Sequence, residues 1–371
     1  MKILMFGHKR IPSREGGVEI VVGELSRRMA VLGHVVICCN RGGHHVSGGE
    51  FDAEKRKSWE GVVLKTMPTL DKKGLAAVTS SFFAALYGAF SRVDVVHIHA
   101  EGPAFWCWIP RLLGKRVVVT IHGLDWQRAK WQGGFGRIYI RWGEKMAVRF
   151  ADEIIVLSQN VQTYFEETCG RKTVFIPNGV NTPECVPAVE IGKRFGLEKE
   201  DYILFLGRLV PEKGVHTLIE AFRKVDTKKK LVIAGGCSDS DDYLEAVKAL
   251  AAMDERILFT GFAQGKLLEE LYSNAYLYVL PSEIEGMPLS LLEAMSYGNC
   301  CLVSDIPECA GVVEDQGVTF PVGDVAALAK ALQRLCDDPC QVQKYRGTAR
   351  DFICGKYNWD DVTAKTLELY Q

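Results

Sequence analysis

Tyr202-Ile-Leu-Phe-Leu-Gly-Arg-Leu-Val-Pro-Glu-Lys-Gly-Val-His-Thr-Leu-Ile-Glu-Ala-Phe222 is the stretch from which the fold is read. Tyr202–Leu206 is a short unbroken apolar run that stops at a glycine, the pattern of a strand buried on both faces. After a polar turn, Val215, Leu218, Ile219, Phe222 and Val225 recur at helical spacing. Strand, loop and helix therefore follow one another within a few residues. The same unit repeats downstream, with strands expected at Leu231–Ala234, Ile257–Thr260, Tyr276–Leu280 and Cys301–Val303. Upstream, Lys2–Phe6 is a strand, and Val18, Val21, Val22, Leu25 and Met29 mark the helix after it. His34–Cys39, Val93–His97, Val117–Ile121 and Glu153–Leu157 continue the series. Strands alternating with helices imply right-handed crossovers and parallel sheets covered on both faces.

The rhythm breaks once, over Ile176-Pro-Asn-Gly-Val-Asn-Thr-Pro-Glu-Cys-Val-Pro187, where three prolines and a glycine suit a domain edge. A chain of 371 residues is also too long for one ordinary core. The expected architecture is α/β, two Rossmann-like doubly wound domains facing across a cleft. Residues 1–180 form the first and 181–355 the second, with 356–371 as a closing helix that packs back toward the first. Open α/β sheets bind ligands beyond the carboxyl ends of their strands, so the loops there are where chemistry is sought.

Composition narrows the class. With 47% apolar and 25% charged residues the chain reads as globular. The apolar run at the start is too short for a signal peptide core, so a cytoplasmic protein is expected. Twelve cysteines include the adjacent pairs Cys38-Cys39 and Cys300-Cys301 in apolar runs, with no C-x-x-C, which suits buried reduced thiols rather than disulfides or zinc. The net charge of −1 conceals a division. Residues 1–180 hold 25 Lys+Arg against 16 Asp+Glu, leaving 20 against 30 of the chain's 45 and 46 for the rest. A basic half suits anionic lipid headgroups or a phosphate-bearing acceptor, while nothing points to nucleic acid.

Three loops carry the candidate chemistry. Gly16-Gly17 opens a helix after the first strand, where backbone N–H groups favour an anion; such a pair is often only steric, and no G-x-G-x-x-G is present. Arg208 and Lys213 flank the turn after Leu206, two cations able to grip a diphosphate, although an ordinary surface loop can carry the same pair. The third loop decides. In Pro281-Ser-Glu-Ile-Glu-Gly-Met-Pro-Leu-Ser-Leu-Leu-Glu-Ala294, Pro288 suits a helix start, Glu285 lies before it and Glu293 inside it. First-turn amides such as those of Leu289 and Ser290 are offered to phosphate, and Glu293, bordering an apolar face, suits a ribose diol.

The combination of Glu285 and Glu293 with Gly207-Arg208…Lys213-Gly214 and Gly16-Gly17 resembles the retaining GT-B enzymes of glycosyltransferase family 4. Ile176-Pro-Asn-Gly-Val180, Ile233-Ala-Gly-Gly236, Phe259-Thr-Gly-Phe262 and Ala294-Met-Ser-Tyr-Gly298 fall in the matching order across nearly the whole chain. Gly16–Val22 and His122-Gly-Leu-Asp-Trp-Gln-Arg128 further resemble bacterial capsule and cell-wall rhamnosyltransferases of that family. Asn181 stands where the family commonly has aspartate.

This resemblance implies a nucleotide-sugar donor, dTDP-rhamnose first and UDP- or GDP-sugars next, and a saccharide or lipid-diphosphate-linked acceptor in envelope polysaccharide synthesis. It implies that Arg208 and Lys213 bind the diphosphate, helped by backbone near Gly16, Gly17 and Leu289. Glu293 would hold the ribose, Glu285 the transferred sugar, and His122 the region of the reacting carbon. Phe262, Met287 and Ser290 would complete the donor pocket.

No Asp-x-Asp stands where it would hold a metal, since Asp239, Asp241 and Asp242 read as a helix cap, so the expected reaction uses neither metal nor cofactor. His122 reads equally as a core histidine. A membrane contact is the remaining expectation. Gly74–Phe90 is uncharged but short and interrupted by Thr79, Ser80 and Ser81, which favours a packed helix over a span. Arg137, Arg141, Lys145 and Arg149 recur every four residues among Ile138, Tyr139, Ile140, Trp142 and Phe150, as on a helix lying on anionic lipid or on a solvated face. The rival readings are an epimerase or phosphorylase of the same architecture and a non-catalytic nucleotide-sugar-binding subunit. An epimerase acts on donor alone; a decayed site would have lost Arg208, Lys213 or Glu285.

Overall fold

The computed structural model describes residues 1–43, 56–72, 74–128, 134–236 and 241–371. Asp239, one of the three aspartates read as a cap, lies outside the described residues. Two compact units divide the chain: Met1–Gly179 together with Trp359–Gln371, and Val180–Asn358.

Unit 1 contains β1 (Lys2–Phe6), α1 (Gly17–Val31), β2 (Val35–Arg41), β3 (Ser58–Trp59), β4 (Val62–Met67), α2 (Leu75–Phe90), β5 (Val95–His99), α3 (Glu101–Ala104), α4 (Trp108–Leu112), β6 (Arg116–Ile121), α5 (Gly134–Phe150), β7 (Glu153–Val156), α6 (Gln159–Cys169) and β8 (Val174–Phe175). Its sheet runs β3-β4-β2-β1-β5-β6-β7-β8, parallel throughout except for β3 against β4. Ile3, Leu4, Met5 and Phe6 are all buried because helices cover both faces, which is why β1 reads as a continuous apolar run. The strand expected at Val93–His97 lies two residues further on. His97 and His99 are both inside it and buried, and polar side chains in an otherwise apolar run had moved its apparent end. β4 lay hidden for the opposite reason: near the sheet's edge it exposes Val63, Lys65 and Thr66 and loses the apolar signal.

Unit 2 contains α7 (Glu190–Phe195), β9 (Tyr202–Leu206), α8 (Val215–Phe222), β10 (Lys230–Ala234), α9 (Asp241–Ala251), β11 (Ile257–Gly261), α10 (Gly265–Asn274), β12 (Leu277–Leu280), α11 (Leu289–Ser296), β13 (Cys301–Ser304), α12 (Pro307–Val313), β14 (Val318–Phe320), α13 (Val325–Asp337) and α14 (Pro339–Lys356). Its strands are all parallel, in the order β11-β10-β9-β12-β13-β14. The last helix, α15 (Trp359–Glu368), belongs to unit 1. There Arg28 pairs with Asp360, Arg116 Nε donates to Leu369 O at 2.8 Å, and the Tyr370 hydroxyl meets His97 Nδ1 at 2.6 Å.

Both sheets reverse strand order once, unit 1 between β1 and β5 and unit 2 between β9 and β12. Ligand crevices form at the carboxyl ends of such switch points. Among the described residues no helix is long and apolar enough to cross a membrane. The uncharged segment over Gly74–Phe90 is α2, whose Ala84, Ala85 and Ala89 pack into the core of unit 1. Cys38, Cys39, Cys300 and Cys301 are free and buried, and burial pushes the Cys38 and Cys300 thiols up to about 12.

Candidate active site

In unit 2 the two loops at the switch point are drawn together by backbone. Gly214 has φ +65, and a Cβ there would stand 2.1 Å from Pro281 O, so only glycine lets the loop after β9 lie against the loop after β12. Glu283 N donates to Glu212 O at 2.9 Å across the same seam. This approach places Lys213, in the short turn Pro211–Lys213, beside Glu285. Lys213 Nζ donates to Glu285 Oε1 at 2.5 Å, and Ser282 Oγ donates to the same oxygen at 2.7 Å. The two side chains are only 13% and 8% exposed, so the pair is poorly screened and firmly held. An ammonium has three N–H groups; one is committed to Glu285, which leaves two to offer elsewhere. Arg208 follows Gly207 directly after β9 and is partly buried.

α11 starts from the other side of the same loop. Pro288 caps it in extended conformation and accepts from Leu291 N and Leu292 N at 3.1 and 3.3 Å, so the helix points its start back toward Glu285 along the chain. Ser290 Oγ accepts from the Tyr278 hydroxyl at 2.9 Å. Glu293 Oε2 accepts from the Tyr272 hydroxyl at 3.2 Å, and the Tyr272 ring stacks on Tyr297 with centroids 5.3 Å apart. Met287 and Phe262 are partly buried, Phe262 directly after β11, and Leu289 is buried.

Unit 1 contributes a different chemistry at its own switch point. Gly7, with φ +112, lets β1 end against β5, since a Cβ there would stand 2.0 Å from His99 O. His99 Nδ1 lies 3.1 Å from His122 Nε2, and His122 directly follows β6. His97 is held between the Tyr370 hydroxyl and Thr120 Oγ1 at 2.6 and 2.7 Å. Burial drives His8 and His122 down to about 4, with Asp125 opposing the shift of His122, and His97 to about 3. It holds His99 well below the usual histidine range, helped by its imidazole neighbours. Burial, with Asp125 and Glu144 nearby, holds the Glu101 carboxyl well above the ordinary range. The polar seam is thus built around imidazoles that burial keeps from taking up a proton. Gly16 caps α1 and Gly17 begins it; Glu19, buried in the first turn, already places a carboxylate there and accepts from Lys9 N at 2.7 Å.

Of the residues singled out from sequence, Lys213 and Glu285 meet directly, and Ser290 and Glu293 share α11 and tyrosine partners. Gly16, Gly17 and His122 stand in unit 1. Ser282, Tyr272 and His99 went unnoticed. The first lies inside the decisive loop and the last in a visible His-x-His, whereas Tyr272 closes an unremarkable helix and carries no signal.

Comparison with known proteins bears on the family and the fold. The model described as Glycosyltransferase Family 4 matches residues 15–184, and that described as Glycosyl transferases group 1 matches residues 190–352. An alpha-D-kanosaminyltransferase from Streptomyces kanamyceticus is 26% identical over 283 residues, covering 71% of this chain and 73% of the relative. Sucrose-phosphate synthase from Thermosynechococcus elongatus superposes with a TM-score of 0.84 at 22% identity, covering 100% of this chain and 98% of the other. Anabaena HepE, solved with UDP and glucose, superposes with a TM-score of 0.81 at 17% identity, covering 99% and 98%. With the family 4 model on its first half and the group 1 model on its second, the chain belongs to the GT-B glycosyltransferases.

Proposed function

We propose that the enzyme transfers a sugar, with retention and without a metal, from a nucleotide-sugar to a saccharide or lipid-diphosphate-linked acceptor in envelope polysaccharide synthesis, working at the inner face of the plasma membrane. dTDP-rhamnose is the donor proposed first, on the resemblance of Gly16–Val22 and His122–Arg128 to rhamnosyltransferases; UDP- and GDP-sugars follow. The observation that carries the reading is the part-buried Lys213–Glu285 pair, braced by Ser282 at the sheet's switch point.

Arg208 and the remaining N–H groups of Lys213 hold the donor diphosphate, with the start of α11 adding backbone donors from Leu289 and Ser290. Glu285, its Oε1 already engaged, turns Oε2 to the sugar hydroxyls beside Met287, and Glu293 takes the ribose, with Phe262 against the base. The bond from the sugar's anomeric carbon to the phosphate oxygen opens, and the positive charge that develops on the sugar resembles an oxocarbenium ion. The acceptor hydroxyl attacks from the face the diphosphate leaves, and its proton passes to the departing phosphate oxygen. Preorganised cations make that departure possible, a contribution of about 3–4 kcal/mol per well-placed donor. His122 and backbone near Gly16 and Gly17 serve the substrates from unit 1.

Incubating the enzyme with a panel of nucleotide-sugars, with and without lipid-diphosphate sugars, and weighing the products tests the proposal. A product heavier by one deoxyhexose supports it. Turnover abolished by chelators, or donor converted without any acceptor, refutes it.

A further inference from the structure

A string of rings crosses the surface of unit 1. Phe83 and Phe82 on α2 stand 5.4 Å apart; Phe82 meets Trp106 at 4.8 Å, Trp106 meets Phe105 at 4.8 Å, and Phe105 stacks on Trp142 of α5 at 6.2 Å. Its two ends are open to solvent, Phe83 at 40% and Trp142 at 51%. On α5 the apolar surface continues through Ile138 at 51% and Phe135 at 74%, one helical face with Trp142. Tyr139 and Ile140, their neighbours in sequence, turn inward.

The exposed charges on these two helices are of one sign. α2 carries no charged residue, and the sole acidic residue of α5, Glu144, is buried beneath Arg141 and Tyr164. Arg141, half-exposed, is committed to neighbours of its own chain, its Nη1 2.7 Å from the Tyr164 hydroxyl and its guanidinium over the Trp126 ring. Arg137, Lys145 and Arg149 are exposed. Large apolar side chains in water, on two helices whose exposed charges are all cations, make a surface of the kind that lies at a lipid interface, with tryptophan at headgroup depth and cations against anionic phosphate.

We propose that Phe135, Ile138 and Trp142 of α5, with Phe83 of α2, insert into an anionic bilayer while Lys145, Arg149 and Arg137 contact its headgroups. This gives residues to the membrane location on which the proposed function rests. An acidic protein partner would call for polar side chains able to fix its orientation, and this face offers rings and cations instead.

The intact chain is sedimented with vesicles of phosphatidylcholine alone and with vesicles containing phosphatidylglycerol. Binding is expected only to the second and should fade as salt rises. Lys145→Glu with Arg149→Glu should weaken it by at least about twenty-five-fold, the product of about fivefold for each of the two cations. Phe135→Ser with Ile138→Ser, neither of which takes part in the string of rings, should abolish what remains at high salt, with the melting temperature unchanged. Equal binding to both vesicles, or none to either, overturns the proposal. So does a shift from dimer to monomer in these variants when the parent ignores vesicles, since the face then joins two copies. Vesicle binding without sugar transfer would sink the proposed reaction and leave the docking face standing; transfer to a soluble acceptor without vesicle binding would do the reverse.

Discussion

Nδ1 of His99 and Nε2 of His122 lie 3.1 Å apart, and the other nitrogen of His99 decides which ring donates. That nitrogen, Nε2, is buried and has no hydrogen-bond partner among the described residues. An orphaned lone pair is tolerated better than an orphaned N–H, so His99 keeps its proton on Nδ1 and donates to His122. His122 then carries its own proton on Nδ1 and, held at about 4 by burial, presents a neutral N–H donor. His99→Phe is expected to lower kcat about tenfold, the order of one hydrogen bond, with donor KM unchanged. His99→Asn, whose amide can take over the donor position, should restore most of it. Steady-state kinetics decide; equal losses in both variants would contradict the assigned tautomer.

Lys213 and Glu285 should behave as one unit. Lys213→Met leaves the part-buried Glu285 carboxylate supported, among the described residues, by Ser282 and removes a proposed diphosphate donor, so kcat should fall by about 10²–10³. In a double-mutant cycle with Glu285→Gln, the losses should fall short of additivity. Replacing both Arg208 and Lys213 by neutral residues should abolish turnover, while chelators leave the parent unaffected.

Acid should weaken unit 1 before any surface charge matters. His8, His97 and His122 have folded values below the ordinary 6.5, so the unfolded chain binds more protons and stability falls as pH drops from 6.5 toward about 4. Each group contributes a slope of about 1.4 kcal/mol per pH unit within that window. Urea unfolding at stepped pH measures it, and His8→Asn should remove one proton's worth of slope.

Tyr272 steadies Glu293 rather than touching the reaction. Tyr272→Phe should raise donor KM by about fivefold through loss of one hydrogen bond, with kcat little changed. Glu293→Ala should raise it further. Calorimetry with the free nucleotide should reproduce both losses.

How much of this was legible from the chain alone depended on burial. Tyr202–Leu206 emerged as a strand with the boundaries it has in the structure, because both its faces are covered and its apolar run is unbroken. β4, near the edge, and the three-residue β14 were not visible. Arg208, Lys213, Glu285 and Glu293 stood out by spacing and resemblance, yet the contact joining Lys213 to Glu285 spans 72 positions and depends on Gly214 lying against Pro281. Local spacing carries no record of such an approach. The basic stripe of α5 read as four equivalent cations; packing alone separates Arg141, bound to Tyr164, from the three that face solvent.

The hydroxyl of Tyr370 on His97 has a consequence for biosynthesis. Unit 2 is inserted whole between Gly179 and Trp359, which abut within unit 1, a Cβ on Gly179 standing 2.7 Å from Trp359 N. On the ribosome, unit 2 has every residue it needs before unit 1 does. The first 179 residues must wait, with an imidazole in the middle of their sheet still short of a partner, until α15 and Tyr370 have been made and close over it.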